Sequence, residues 1–243
     1  MKRTLLVMLV AGLLTVVAAS MASAGVLLTE DWESYVSGAT PYDSWALGNG
    51  TWMPLIPVAG QAKGQQAYTI TAAGTSRIGK AHGADLTKFD KVVLEGYFYD
   101  TDGTSSMKRT WLGFQDAFTV DNALLRIGCN NMVTYQVHYY DGALKTVDTG
   151  VSNATGWHYV KLTNEKSGAS WKTTWVLDSA TGNFTWAWNA ATATHVVVGY
   201  NYSCTKEVNW DDIKLTGIPE PGSLLALGTG LLGLFGFIRR RKA

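Results

Sequence analysis

Hydrophobic residues recur at every second position in short runs between residues 25 and 217. The alternation is clearest in residues 92–99, 132–139, 157–163 and 171–177, which are rich in Val, Tyr, Trp and Thr. A period of two places alternate side chains on opposite faces of a strand. Asp141-Gly142 follows one run and predicts a type I′ hairpin turn. Few apolar stretches have helical spacing, so the pattern predicts one all-β domain, an antiparallel two-sheet sandwich.

Two uninterrupted apolar runs flank this region. Residues 1–24 are typical of a secretory signal peptide. Lys2-Arg3 come first, an uncharged run follows, and the small residues Ala22-x-Ala24 come last. The alternative is an uncleaved anchor. Residues 222–238 are 17 uncharged residues. As a helix they extend roughly 25 Å, just enough for a transmembrane span. The predicted organisation is therefore a signal peptide, a sandwich over 25–217 and a terminal segment over 218–243.

The terminal segment has three parts in a fixed order. Pro219-Glu220-Pro221 comes first, the apolar run follows, and the basic residues Arg239, Arg240, Arg241 and Lys242 come last. Proline ends regular structure, and the basic cluster favours a cytoplasmic C-terminus. This order resembles the PEP-CTERM sorting signal of Gram-negative bacteria. The resemblance implies recognition of the proline motif by an exosortase-type enzyme, transient membrane anchorage and release to the cell surface or extracellular matrix. A permanent single-pass anchor is the alternative.

Removing the two terminal segments changes the charge. The whole chain has a formal net charge of +1, whereas residues 25–218 contain 14 basic and 18 acidic residues, a net charge of −4. A nucleic-acid-binding domain needs a basic stripe. The composition therefore excludes nucleic acid as the partner.

The two ends of the sandwich resemble concanavalin A-like jelly rolls, including laminin-G-like modules. The similar segments are 29–35, 208–215 and 156–162. The resemblance implies that the first and last strands are neighbours and that their acids form a structural calcium site. Asp31, Glu33 and Asp211 are the predicted ligands, because calcium prefers several oxygen ligands. Alternation places Asp211 on the apolar face, where a carboxylate needs a partner or a metal. The alternative is that these acids are solvated or accept backbone hydrogen bonds.

Catalysis is not predicted. The glucanase branch of this fold implies a pair of carboxylates about 5 to 5.5 Å apart. Glu95 and Asp100 are five positions apart on one predicted strand and so point to opposite faces. The four histidines lack metal-ligand spacing. We therefore expect a non-enzymatic protein, and a secreted glycoside hydrolase or lyase is the least favoured class.

Four tryptophans lie in pairs on the predicted strands: Trp171, Trp175, Trp186 and Trp188. Within each pair the even spacing places both rings on one face. Such rings form either a sugar-stacking platform or ordinary sandwich core, because indole has a flat apolar face and one polar atom. The sequence leaves both interpretations open.

Cys129 and Cys204 are the two cysteines of the chain. An exported protein meets an oxidising compartment, so a disulfide between them is predicted, with two separate buried thiols as the alternative. The expected function is that of an exported structural or adhesive protein. The alternative is a carbohydrate-binding module that recognises exopolysaccharide.

Overall fold

A computed structural model describes residues 24–35, 45–50, 55–56, 64, 66–70, 76–104, 108–116, 120–130, 132–200 and 206–219. These residues form fifteen strands and one 3-10 helix, Leu86–Lys88. The strands are β1 Gly25–Glu30, β2 Trp45–Gly50, β3 Leu55–Ile56, β4 Ala67–Ile70, β5 Ser76–Ala81, β6 Phe89–Asp100, β7 Arg109–Asp116, β8 Val120–Asn130, β9 Thr134–Tyr140, β10 Leu144–Ser152, β11 Gly156–Ser167, β12 Ser170–Leu177, β13 Ala180–Trp186, β14 His195–Tyr200 and β15 Val208–Pro219.

The strands form two antiparallel sheets. The eight-stranded sheet has the order β13-β12-β11-β6-β15-β4-β3, and β1 also pairs with β15. The seven-stranded sheet has the order β10-β9-β8-β7-β14-β5-β2. The predicted all-β two-sheet sandwich is therefore confirmed.

Alternating side chains build the core between the sheets. In β6, Val92, Leu94, Gly96 and Phe98 are buried, whereas the residues that alternate with them are partly exposed. Each fully buried aliphatic or aromatic side chain stabilises the fold by roughly 1.5 to 3 kcal/mol. Trp210 of β15 crosses the core, and its Nε1 donates to Thr110 Oγ1 at 2.6 Å. This hydrogen bond satisfies a buried polar atom and links the two sheets.

The hairpin at Asp141-Gly142 differs from its predicted type. Tyr140 pairs with Leu144, which leaves a three-residue loop. Gly142 has φ +68°, and Asp141 is not among the residues with positive φ. The Asp141 N–H donates to Ala143 O at 3.0 Å. The type I′ prediction was wrong because the loop is one residue longer than a two-residue turn.

Both ends of the domain lie together. Gly25 of β1 pairs with Gly217 of β15, as the resemblance to jelly rolls implied. The strand β15 continues to Pro219, which pairs with Phe89 of β6. The predicted transmembrane helix at 222–238 and all but the last residue of the predicted signal peptide lie outside the described residues. Within the described ranges, no helix has the length and apolarity needed to cross a membrane.

Candidate functional site

Four aromatic rings lie on the outer face of the eight-stranded sheet. Tyr97 and Tyr99 of β6 lie opposite Tyr159 and Trp157 of β11, respectively. The ring centroids are 5.2 Å apart in the first pair and 5.5 Å apart in the second. All four side chains are partly exposed. We call these four residues the aromatic face.

The charged groups beside the aromatic face neutralise one another. The Tyr159 hydroxyl donates to Glu95 Oε2 at 2.5 Å, and Lys161 Nζ lies 3.8 Å from the same oxygen. Burial, followed by the hydrogen bond to Glu95, raises the pKa of Tyr159, so its hydroxyl stays protonated and donates. Farther along the same two strands, Lys91 pairs with Glu165. Glu95 is therefore held by hydrogen bonds on a surface of balanced charge.

The outer face of the seven-stranded sheet is built differently. In β7, β8 and β9 the apolar residues that alternate into the core are Leu112, Phe114, Leu125, Ile127, Tyr135 and Val137. The residues between them point away from the core, yet many of them are buried as well. We define the basic face as Arg77, Trp111, Gln115, Arg126, Gln136 and His138, none of which is more than 7% exposed.

Contacts between neighbouring strands fix the side chains of the basic face. Arg126 Nη2 lies 3.2 Å from His138 Nδ1, and the guanidinium lies 4.7 Å from the centre of the Trp111 ring. Because arginine only donates, His138 Nδ1 accepts, and Nε2 carries the proton toward Gln136 Oε1 at 3.3 Å. Burial and the charge of Arg126 lower the pKa of His138 to about 3. His138 is therefore neutral at physiological pH.

A second arginine lies on the other side of the basic face. Arg77 Nη1 of β5 donates to Gln115 Oε1 of β7 at 3.0 Å. Asp148 of β10 lies opposite Gln136, so the outer face of this sheet also carries a carboxylate. Arg77 and Arg126 thus form a pair of buried guanidinium groups on a domain whose net charge is negative. The sequence interpretation missed it, although Gln136-Val137-His138 and Leu125-Arg126-Ile127 show polar residues alternating with apolar ones.

A polar network is buried at one end of the core. Asp100, at the end of β6, contacts Lys108 Nζ, and both side chains are fully buried. The Tyr135 hydroxyl donates to Asp100 Oδ2 at 2.9 Å and lies 3.1 Å from His158 Nε2. His158 Nδ1 lies 2.7 Å from Asp178 Oδ2. These groups satisfy one another between the two sheets, so we assign them to stability.

The predicted calcium ligands do not form a shared site. A β-bulge at Asp212, which has φ +50°, places Asp211 opposite Tyr97, away from the core face that alternation predicted. Each acid accepts a backbone N–H: Asp31 Oδ1 from Glu33, Glu33 Oε1 from Gln66 and Asp211 Oδ1 from Asp212. Among the described residues, no group of three or more His, Cys, Asp or Glu side chains is arranged to hold a metal ion. Calcium binding therefore stays a prediction, and the described residues provide no set of ligands for it.

Glu30 is the carboxylate of the first strand that the sequence interpretation overlooked. It is buried on the same side of β1 as Leu28. Its Oε2 accepts from Trp45 Nε1 at 2.8 Å and lies 3.0 Å from Lys80 Nζ. Glu30 thus links β1 of one sheet to β2 and β5 of the other. The alternation Leu28-x-Glu30-x-Trp32 could have identified it.

The four tryptophans proposed as a sugar platform are buried. Trp171, Trp175, Trp186 and Trp188 are between 2% and 8% exposed and belong to the core. Trp186 Nε1 donates to Thr173 Oγ1 at 2.7 Å, and Trp171 packs edge-on against Trp188 with centroids 5.0 Å apart. Of the two interpretations, the sugar platform was wrong and ordinary sandwich core is confirmed, because the shared face of these strands is the inner one.

The disulfide prediction concerns one described cysteine. Cys129 is buried in the core at the end of β8, whereas Cys204 lies outside the described residues. The disulfide stays a prediction.

The C-terminal segment matches a known signal. Residues 217–242 match the PEP-CTERM protein-sorting motif. The chain carries a PEP-CTERM sorting signal. A signal of this kind implies export and a location at the cell envelope or surface of a Gram-negative bacterium. Of the motif residues, Pro219 ends β15, whereas Glu220, Pro221 and the basic cluster Arg239, Arg240, Arg241 and Lys242 lie outside the described residues.

Solved structures resemble the sandwich. The globular domain of T. cruzi calreticulin has a TM-score of 0.53 and 11% identity, over 84% of this chain and 93% of that one. An endo-1,3-β-glucanase from Streptomyces sioyaensis has a TM-score of 0.50 and 10% identity, over 81% and 97%. A Shewanella oneidensis protein of unknown function has a TM-score of 0.53 and 14% identity, over 81% and 87%. At these identities the likeness shows a jelly-roll fold alone. No curated protein matches the sequence.

Proposed function

We propose that the chain is an exported, non-enzymatic adhesive protein of the bacterial surface or extracellular matrix. An exosortase-type enzyme recognises Pro219, Glu220 and Pro221, and the tail anchors the chain in the membrane until it is processed. The PEP-CTERM signal supports this route. Because Pro219 is still paired in β15, the processing enzyme meets its motif directly beside the folded sheet.

The observation that carries the adhesive role is the aromatic face. Its four partly exposed rings lie on two adjacent strands beside neutralised charges. Aromatic rings of this kind combine an apolar face with a polar edge, which suits stacking against sugar rings. These exposed rings favour a second, more specific proposal, in which the chain is a carbohydrate-binding module and its ligand is exopolysaccharide.

The non-enzymatic proposal rests on the positions of two acids. Glu95 faces outward and is held by Tyr159 and Lys161, whereas Asp100 faces the core and contacts Lys108. Glu95 and Asp100 therefore lie on opposite sides of the sheet. The endo-1,3-β-glucanase resembles this chain in fold, and that likeness does not support hydrolase activity here.

Binding to polysaccharide isolated from the producing strain tests the aromatic face. We expect Trp157→Ala to weaken binding about tenfold, since one stacking contact of about 1.4 kcal/mol is lost. Tyr140→Ala is the matched control, because Tyr140 is partly exposed on β9 of the other sheet. Equal binding by the two variants would reject the aromatic face as the adhesive surface.

Intact-mass measurement of protein from cells and from medium tests the sorting route. We expect a mature species that begins at Gly25 and ends near Pro219. A mature species that retains Arg239 to Lys242 would instead establish a permanent anchor.

A further inference from the structure

Lys108 and Asp100 form an ion pair that is closed to solvent. Both side chains are 0% exposed, and Lys108 Nζ contacts Asp100 Oδ2. The pair formed by Lys80 and Glu30 is more open, because the Lys80 side chain is 21% exposed. Removing two charges from water is costly, and lysine is rarely buried completely even when it is paired. A reaction that removes both charges would relieve this cost.

Hydrogen bonds fix the amine and the carboxyl group relative to each other. Lys108 Nζ also donates to the carbonyl oxygen of Asp102 at 2.6 Å. On the carboxyl side, Asp100 Oδ1 accepts from the Asp102 N–H at 3.0 Å. Because Oδ2 is bonded to Cγ, the amine nitrogen that contacts Oδ2 lies roughly 3 to 3.5 Å from Cγ, the separation from which a nucleophile attacks.

Tyr135 closes the other side of the carboxyl group. Its hydroxyl donates to Asp100 Oδ2 at 2.9 Å, and its ring packs edge-on against Phe98 with centroids 5.3 Å apart. Both rings are fully buried. Burial raises the pKa of Tyr135, so the hydroxyl stays protonated and donates. The carboxyl group therefore has two hydrogen-bond donors besides the amine, in surroundings that disfavour charge.

We propose that Lys108 and Asp100 become joined by an amide bond that the folded domain forms by itself. Nζ first passes one proton to Oδ2, which leaves an uncharged amine and an uncharged carboxyl group. The amine then attacks Cγ, the bond between Cγ and Oδ2 breaks, and Oδ2 leaves as water with a second proton from the nitrogen. One ammonium and one carboxylate thus give one amide and one water, with no oxidant and no change in total charge.

The surrounding donors support this reaction. The Asp102 N–H stabilises Oδ1, the oxygen that stays in the amide, and the Tyr135 hydroxyl donates to Oδ2 as it leaves. The amide joins the end of β6 in one sheet to the residue before β7 in the other. Unlike a disulfide, it does not depend on the redox state of the surroundings. Each chain reacts once, so the inference does not rest on the adhesive role and leaves the non-enzymatic proposal unchanged.

Peptide mass mapping of the full chain tests this proposal, because both residues fall in one tryptic peptide. Trypsin cuts after a free lysine, so an unlinked chain gives residues 92–108 with their ordinary mass. We expect residues 92–109 instead, lighter by about 18 Da through the loss of one water, because trypsin does not cut after an acylated lysine. Fragmentation should produce no ions from cleavage between Asp100 and Lys108. Recovery of mainly the unmodified 92–108 peptide would overturn the proposal.

Two controls separate the amide from other events. Lys80 is the matched control in the same digest, and trypsin should cut after it normally because its ion pair is partly open to water. Asp102-Gly103 can also lose one water, by forming a cyclic imide, but Lys108→Gln leaves that reaction intact. We expect the mass loss to vanish in Lys108→Gln, and its persistence there would overturn the proposal. If Lys108→Gln fails to fold, the uncut Lys108 and the missing fragment ions in the unaltered chain decide.

Tyr135→Phe tests the part played by the hydroxyl group. The variant keeps the buried ring but removes the donor to Asp100 Oδ2. We expect the linked fraction of the 92–109 peptide to fall at least about twofold, because the leaving oxygen loses its hydrogen bond. Equal linked fractions in the two proteins would overturn the role assigned to Tyr135.

Discussion

On the outer face of the eight-stranded sheet, Lys161 lies 3.8 Å from Glu95, and both side chains are about a quarter to a third exposed. On the outer face of the seven-stranded sheet, Arg126 is nearly fully buried and lies 3.2 Å from the neutral ring of His138. The first face neutralises its charges near solvent. The second holds the buried guanidinium of Arg126 against a neutral imidazole ring.

The difference predicts how the two faces respond to substitution. A partly exposed ion pair contributes about 0 to 1 kcal/mol, because water screens it and both side chains lose entropy. A buried polar group that loses its partner costs about 1 to 3 kcal/mol. The aromatic face should therefore tolerate changes that the basic face does not.

The largest expected effect comes from Gly113 of β7, which pairs with Arg126 of β8. At Gly113, an added Cβ would lie 2.2 Å from the backbone oxygen of Leu125 on the paired strand. We expect Gly113→Ala to lower the free energy of unfolding by about 3 kcal/mol, because a backbone atom cannot move aside as a flexible side chain can. Denaturant titration measures this loss.

The matched control for this change is Gly25→Ala. There the added Cβ would meet its nearest atom, the backbone oxygen of Gly217, at 4.0 Å. We expect a change below about 0.5 kcal/mol. If the two substitutions have similar effects, the close packing of β7 against β8 does not restrict the residue at position 113.

The second-largest expected effect is a loss of stability in acid, through His138 of the basic face. Burial and Arg126 lower the pKa of His138 to about 3, below its ordinary value of 6.5. Between these values the unfolded chain binds a proton that the folded chain does not. The contribution of His138 to stability is therefore complete above about pH 6.5 and is lost as the pH falls toward 3. We expect the free energy of unfolding to fall by on the order of 2 kcal/mol from pH 7 to pH 5 through this residue.

His138→Gln tests the acid effect, since glutamine can accept from Arg126 and donate to Gln136. The variant should lose stability less steeply with acid than the unaltered chain. It should keep some sensitivity, because burial also lowers the pKa of His82 and of His195. Identical slopes of stability against pH in the two proteins would show that His138 does not titrate as the structure implies.

Much of the fold was readable from the sequence, because burial on one side of a sheet forces alternation. The four predicted segments lie largely within β6, β9, β11 and β12. Alternation shows that Trp171 and Trp175 share a face but not which face is the inner one, so both interpretations of these rings stayed open. Arg126 was overlooked because both faces of β8 are buried at that point. It also could not show the bulge at Asp212, which moved Asp211 to the outer face.

The smallest expected effect concerns the aromatic face. Lys161→Ala removes the 3.8 Å pairing with Glu95, whose carboxylate keeps the hydrogen bond from Tyr159. We expect the free energy of unfolding to change by less than about 0.5 kcal/mol, because the pair is partly exposed and Glu95 stays solvated. Denaturant titration at low and at high salt measures this, and Thr163→Ala on the same face of β11 is the control for lost strand contacts. A loss above about 2 kcal/mol at Lys161 would mean that this face also depends on its charges, and the contrast with the basic face would fail.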